Sequence, residues 1–80
     1  MTRAEIKAVL AGDYRKAYTV YESMEKQATI AIHHGQMEAY KQFKKKAALR
    51  SAMLFGMKRA AAVLGIDEIE FMEAVNADKE

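Results

Sequence analysis

The stretch Ile32-His33-His34-Gly35-Gln36 decides how this chain folds. Before it, apolar positions Tyr14, Ala17, Tyr18, Tyr21, Met24, Ala28, Ala31 and Ile32 recur at steps of three and four, one stripe on a helix that turns about 100° per residue. After it, Tyr40, Phe43, Ala47, Leu54, Met57, Ala61 and Leu64 continue the pattern, flanked by Leu49, Met53 and Ala60. If the stretch stays helical the stripes join, with Ala39, Phe43 and Leu54 in phase, into a rod of roughly 75 Å, about fifty residues at ~1.5 Å each. If Gly35 turns, they face each other in an antiparallel hairpin. No proline, asparagine or serine marks a turn, and one glycine costs a helix only ~1 kcal/mol. A rod, however, leaves its stripe bare unless a second chain covers it, and a lone surface helix of that length is rarely stable. The hairpin is therefore expected, with the rod as its competitor.

Charges inside the stripes set an expected register. Glu25 falls on the tyrosine stripe, and Lys46 and Arg50 on the Phe43/Leu54 stripe. An unpaired charge taken out of water costs several kcal/mol, so each needs an opposite number. A fold at residue 35 puts Glu22 level with Arg50 and Glu25 level with Lys46, within about two residues or ~3 Å. Contacts Glu22–Arg50 and Glu25–Lys46 are predicted, within one chain or between two.

Outward from the hairpin, both ends carry helix signals. Thr2-Arg3-Ala4-Glu5 fits a capping box, in which the Thr2 hydroxyl accepts from an orphan amide and Glu5 reaches back to the cap. A short helix with Ile6, Val9 and Leu10 on one side is expected to stop at Gly12, and Asp13 to cap the next. Gly12-Asp13-Tyr14 resembles the opening of a tetratricopeptide unit, but at least three repeats are expected there and the chain has room for two. Gly65 ends the long stripe. Ile66 and Phe71 then flank Asp67 as a hydrophobic staple, Glu70 completes a second capping box, and a last helix runs from near Asp67 to about Asn76. The segment Ala60-Ala61-Ala62-Val63-Leu64-Gly65-Ile66-Asp67 resembles the first helix and turn of a helix-turn-helix unit. The resemblance covers roughly one quarter of the chain and implies that unit's corner. It does not extend to DNA binding, because the would-be recognition helix holds Glu68, Glu70 and Glu73, which phosphates repel.

Composition agrees with an all-α chain. Fifteen of its 80 residues are alanine, β-branched residues are few, and proline is absent. The absence of cysteine excludes a disulfide framework, a thiol nucleophile and cysteine-ligated zinc or iron–sulfur. No run approaches the ~18 apolar residues of a membrane span and no secretory leader is evident, so a soluble, cytoplasmic protein with no membrane association is expected. The length suits a single domain over residues 1–80.

Enzyme chemistry finds little footing. Ser23 and Ser51 lie in no strained elbow, and the glycines at 12, 35, 56 and 65 form no phosphate loop. His33 and His34 point about 100° apart on a helix and cannot share a metal. His34 and Glu38 have i, i+4 spacing but supply two ligands where zinc wants three or four. No catalytic residue, metal site or cofactor is expected. The net charge of +2 conceals a basic centre, residues 38–59 at +6, and an acidic tail, residues 67–80 at −5. Lys41, Lys44 and Lys45 share a helix face, and Arg59 projects the same way five turns on. That face, with Arg15 and Lys16 as further candidates, is the basis of an alternative reading, a nucleic-acid-binding protein.

The interaction-like features are the row Tyr14, Tyr18, Tyr21 with Met24, and the apolar surface around Met53, Leu54 and Met57. Tyrosine and methionine are enriched in binding surfaces, and a chain this small buries only ~60% of its unfolded surface. The expected architecture is a bundle of about four helices: a short N-terminal helix, a long hairpin and a short C-terminal helix, assembled as a dimer. Tyr14, Tyr18, Tyr21 and Met24 are the expected partner-binding residues, and Met53, Leu54 and Met57 the self-association residues. The expected function is a non-catalytic interaction or regulatory module that self-associates and docks on a larger protein, a role that suits an accessory protein of a phage or mobile element.

Overall fold

The computed structural model describes residues 1–77. Among these, three helices account for the regular structure: α1 (Arg3–His33), α2 (Met37–Val63) and α3 (Glu68–Asn76). Asp78, Lys79 and Glu80 of the acidic tail lie outside the described residues.

The chain turns at Gly35, as the hairpin reading expects, and the rod is excluded. Gly35 has φ 68°, the left-handed region that glycine enters without a Cβ clash. Around it the Gln36 amide donates to the Ala31 carbonyl at 2.9 Å and the Gly35 amide to the Ile32 carbonyl at 3.2 Å, the paired bonds of a Schellman ending. The same device closes α2. Gly65 has φ 81°, and the amides of Ile66 and Gly65 reach the carbonyls of Ala61 and Ala62 at 2.9 and 3.0 Å. Ile66 and Ala61 are both buried there, supplying the apolar contact that accompanies this ending.

The fourth helix is not formed. Gly12 and Asp13 continue α1 with no left-handed residue. Ala11, Tyr14 and Ala17 on either side are all buried in the core cluster, so breaking the helix would unstack a continuous apolar stripe. That loss outweighs the ~1 kcal/mol that one helical glycine costs. The capping box at Thr2 is present in full, with the Thr2 hydroxyl accepting from the Glu5 amide at 3.1 Å and the Glu5 carboxylate accepting from the Thr2 amide at 3.2 Å. The second box is half formed. Asp67 accepts from the Glu70 amide at 2.8 Å, but the Glu70 carboxylate turns away to Arg3 and Lys7.

α1 and α2 pack along their lengths, and α3 folds back onto one side of the pair. The molecule measures 49 × 27 × 19 Å. Its core is lopsided. The large buried side chains, Tyr14, Leu54, Ile66, Phe71 and Val75, all lie where α3 covers the hairpin. Toward the turn the buried positions are Ala28, Ala31 and Ala47, whose small side chains let the two helices approach closely. Phe71, fully buried, meets Tyr14 edge-on at 5.5 Å between ring centroids.

The register contacts are corrected. Glu25 pairs with Lys44 at 3.0 Å, not with Lys46. Glu22 and Arg50 make no ion pair with each other among the described residues. Glu22 borders a hollow beside the end of α3 while Arg50 lies in a groove on the opposite side of the hairpin. Counting residues from the turn gives the height along the hairpin but not the side. Lys44 and Lys46 are about 200° apart around α2, so one faces Glu25 and the other faces away.

Candidate functional site

α3 is held by cations from both long helices. Arg3 forks onto the two oxygens of Glu70 at 2.8 Å each and also donates to the Gly65 carbonyl at 2.8 Å. Lys7 reaches Glu70 at 3.2 Å, and Lys58 reaches Glu68 at 3.3 Å. At the other end, Arg15 donates to the Ala74 and Val75 carbonyls at 3.1 Å each, where the helix dipole favours positive charge. Hydrogen bonds from Arg3, then from Lys7, hold the Glu70 carboxyl down at about 2. The Arg3 guanidinium is raised in turn by its hydrogen bond to Glu70. Lys58 is raised first by its hydrogen bond to Glu68, and Lys44 by its hydrogen bond to Glu25.

Among the described residues, nothing covers the opposite side of the hairpin in this way. A groove of about 610 Å³ runs between α1 and α2, lined by Val20, Met24, Lys46, Leu49, Arg50 and Met53. It continues past Val20, Arg50 and Met53 into a shallower trough of about 340 Å³ that reaches Met57, Lys16 and Asp13. Its walls are flexible, polarizable methionines with a branched residue on either side, a lining that moulds to an incoming apolar surface.

The cations of this groove differ from those on the α3 side. Lys46 sits 5.9 Å from the centre of the Phe43 ring, and half-buried Arg50 donates only to the Met53 sulfur at 3.6 Å. Among the described residues neither has a carboxylate partner. A guanidinium has five donors in a planar fork, and a thioether is a weak acceptor for one of them. The groove therefore presents apolar surface together with positive charge that has no carboxylate partner among the described residues.

The predicted site residues separate into three places. Tyr14 is 5% exposed and belongs to the core beneath α3. Tyr18, 41% exposed, stacks on Tyr14 at 6.4 Å and tilts against Tyr21 at 6.0 Å, along the edge where α3 ends. Met24 lies in the groove. Of the self-association set, Leu54 is 8% exposed and faces the core, whereas Met53 and Met57 line the groove with Met24. Val20 and Arg50 complete a surface that the sequence reading did not assemble. The i, i+4 pair Val20 and Met24 is the signal that could have found it.

The basic face of α2 is divided. Lys44 is turned to Glu25 and Lys41 lies 4.0 Å from Glu38, while Lys45 and Arg59, exposed like the other two, have no ion pair among the described residues, and Phe55 is 64% exposed. His34 forms the C-cap of α1, and among the described residues no group of three or more histidine, aspartate or glutamate side chains is placed to hold a metal. No helix among the described residues is long and apolar enough to cross a membrane. No family model, curated protein or solved structure matches the chain.

Proposed function

We propose that this protein is a non-catalytic docking module whose α1/α2 groove takes an acidic amphipathic helix from a protein partner. The observation that carries this reading is the pairing contrast. Arg3, Lys7 and Lys58 on the α3 side meet carboxylates of the same chain, while Lys46 and Arg50 sit in an apolar groove without one among the described residues. A helix with apolar residues at i, i+3/i+4 and i+7, flanked by glutamates, satisfies both properties of the groove at once.

The test uses protein labelled with ¹³C in its methionine methyl groups and a synthetic helical peptide with leucines at that spacing and flanking glutamates. The Met24, Met53 and Met57 methyl signals should shift on titration while Met1 and Met37 stay in place. Arg50→Glu should abolish the shifts, and a peptide carrying lysines for its glutamates should bind at least tenfold more weakly. Groove methyls that stay still, or equal binding of both peptides, would overturn the reading.

A further inference from the structure

We infer that the chain carries a shorter acidic helix of this kind itself, with apolar residues at i and i+3 only: the outer face of α3 in one copy fits the α1/α2 groove of a second copy, making a head-to-tail contact. This inference rests on the docking reading of the groove and names one occupant for it. α3 carries apolar residues on both its core-facing and its outward side. Phe71 and Val75 face the core, while Ile69, 75% exposed, and half-buried Met72 line an outward hollow with Glu68 and Glu73.

Three matches connect the surfaces. In length, the nine residues of α3 span ~13 Å, against ~16 Å of α1 from Asp13 to Met24. In chemistry, Ile69 and Met72 meet a trough of methionine, valine and leucine. In charge, Glu73 has no ion-pair partner among the described residues, and neither do Lys46 and Arg50. A groove-to-groove contact would instead bring like charges together around Arg50, so the two-fold arrangement is disfavoured.

The contact is heterologous, since patch and groove are different parts of the surface. A nine-residue helix face covers well under the ~800 Å² per partner of a standard interface, so association is weak and depends on concentration. A partner's acidic helix would compete for the same groove.

The experiment combines methionine-methyl spectra with sedimentation from micromolar to millimolar protein. In the wild type, the Met24, Met53 and Met72 signals should move together with concentration as the average mass rises. Ile69→Glu and Arg50→Glu should each stay monomeric alone, at unchanged helicity by circular dichroism. Mixed at equal amounts they should form a one-to-one heterodimer that grows no further, because each retains the half that the other lacks. Wild-type protein that stays monomeric at millimolar concentration, or a mixture that stays monomeric, would overturn the inference. So would self-association of Ile69→Glu with only groove methyls shifting, a result that leaves the docking reading standing. Failure of the acidic peptide to shift the groove methyls is the separate result that removes the docking reading itself.

Discussion

Replacing Phe71 by alanine should remove more stability than any other single truncation at this end of the molecule. The ring is fully buried and edge-on to Tyr14 at 5.5 Å. Transfer of a phenylalanine side chain from water accounts for ~2–3 kcal/mol, and an edge-to-face aromatic pair adds about 0.5–1.5 kcal/mol. A cavity that the neighbours fill incompletely brings the expected loss to about 3–5 kcal/mol. A domain of 80 residues holds roughly 4–12 kcal/mol in all, so the variant should be close to unfolded at its former working temperature. In thermal denaturation followed by far-ultraviolet circular dichroism, the midpoint should fall by at least ~12 °C. Urea titration of the same variant supplies the free energy, and Phe55→Ala, at a 64% exposed position on α2, is the matched control, expected within ~0.5 kcal/mol of wild type. A loss below ~1 kcal/mol for Phe71→Ala, or equal losses for the two variants, would refute the placement of the core under α3.

Further outcomes follow from other parts of the structure. Gly12→Ala should raise stability by about 0.5–1 kcal/mol, because the added Cβ would meet only the Arg15 guanidinium at an ordinary 3.7 Å; Gly65→Ala, at φ 81°, should lower it by about 1–2 kcal/mol, both read by urea titration. The depressed Glu70 carboxyl stabilises the folded state above its ordinary value of 4.5, and that contribution should be lost as pH falls from 4.5 toward 2; Glu70→Gln should flatten the acid limb of the stability profile over that window. If the basic face of α2 binds no nucleic acid, a gel-shift assay should show no retarded duplex at physiological salt. A band that weakens steeply with salt and vanishes in Lys45→Glu/Arg59→Glu would favour the alternative function.

The helix class and the turns were legible in the sequence because they depend on local chemistry. Gly35, Gly65, Thr2 and Asp67 each act within a few residues, and the structure shows each at the end of a helix where the pattern puts it. What the sequence conceals is settled by packing over distance. Gly12 and Asp13 read locally as a stop and a cap, yet the burial of Ala11, Tyr14 and Ala17 beneath neighbouring helices carries α1 straight through them. Glu70 reads as the second half of a capping box, yet Arg3, sixty-seven residues away, offers a two-pronged partner that a backbone amide does not match. The groove was legible in fragments. On sequence Met24 falls with the partner-binding tyrosines and Met53 and Met57 with the self-association surface, and only the side on which α3 folds back shows them to be one surface. That side depends on a long-range choice between two faces of the hairpin, both of them apolar, and helical periodicity carries no information about it.

The lopsided core has a consequence for how the molecule comes apart. Around Phe71 bulky buried side chains and ion pairs between helices tie α3 to the hairpin, so the amides on its core-facing side should exchange with solvent deuterium only through a large opening. Near the bend the buried side chains joining the two helices are alanines, helped by the partly exposed Glu25–Lys44 pair, and protection there should decline steadily over the last few turns. Melting should therefore start at the bend and travel back toward the end of the hairpin that α3 covers.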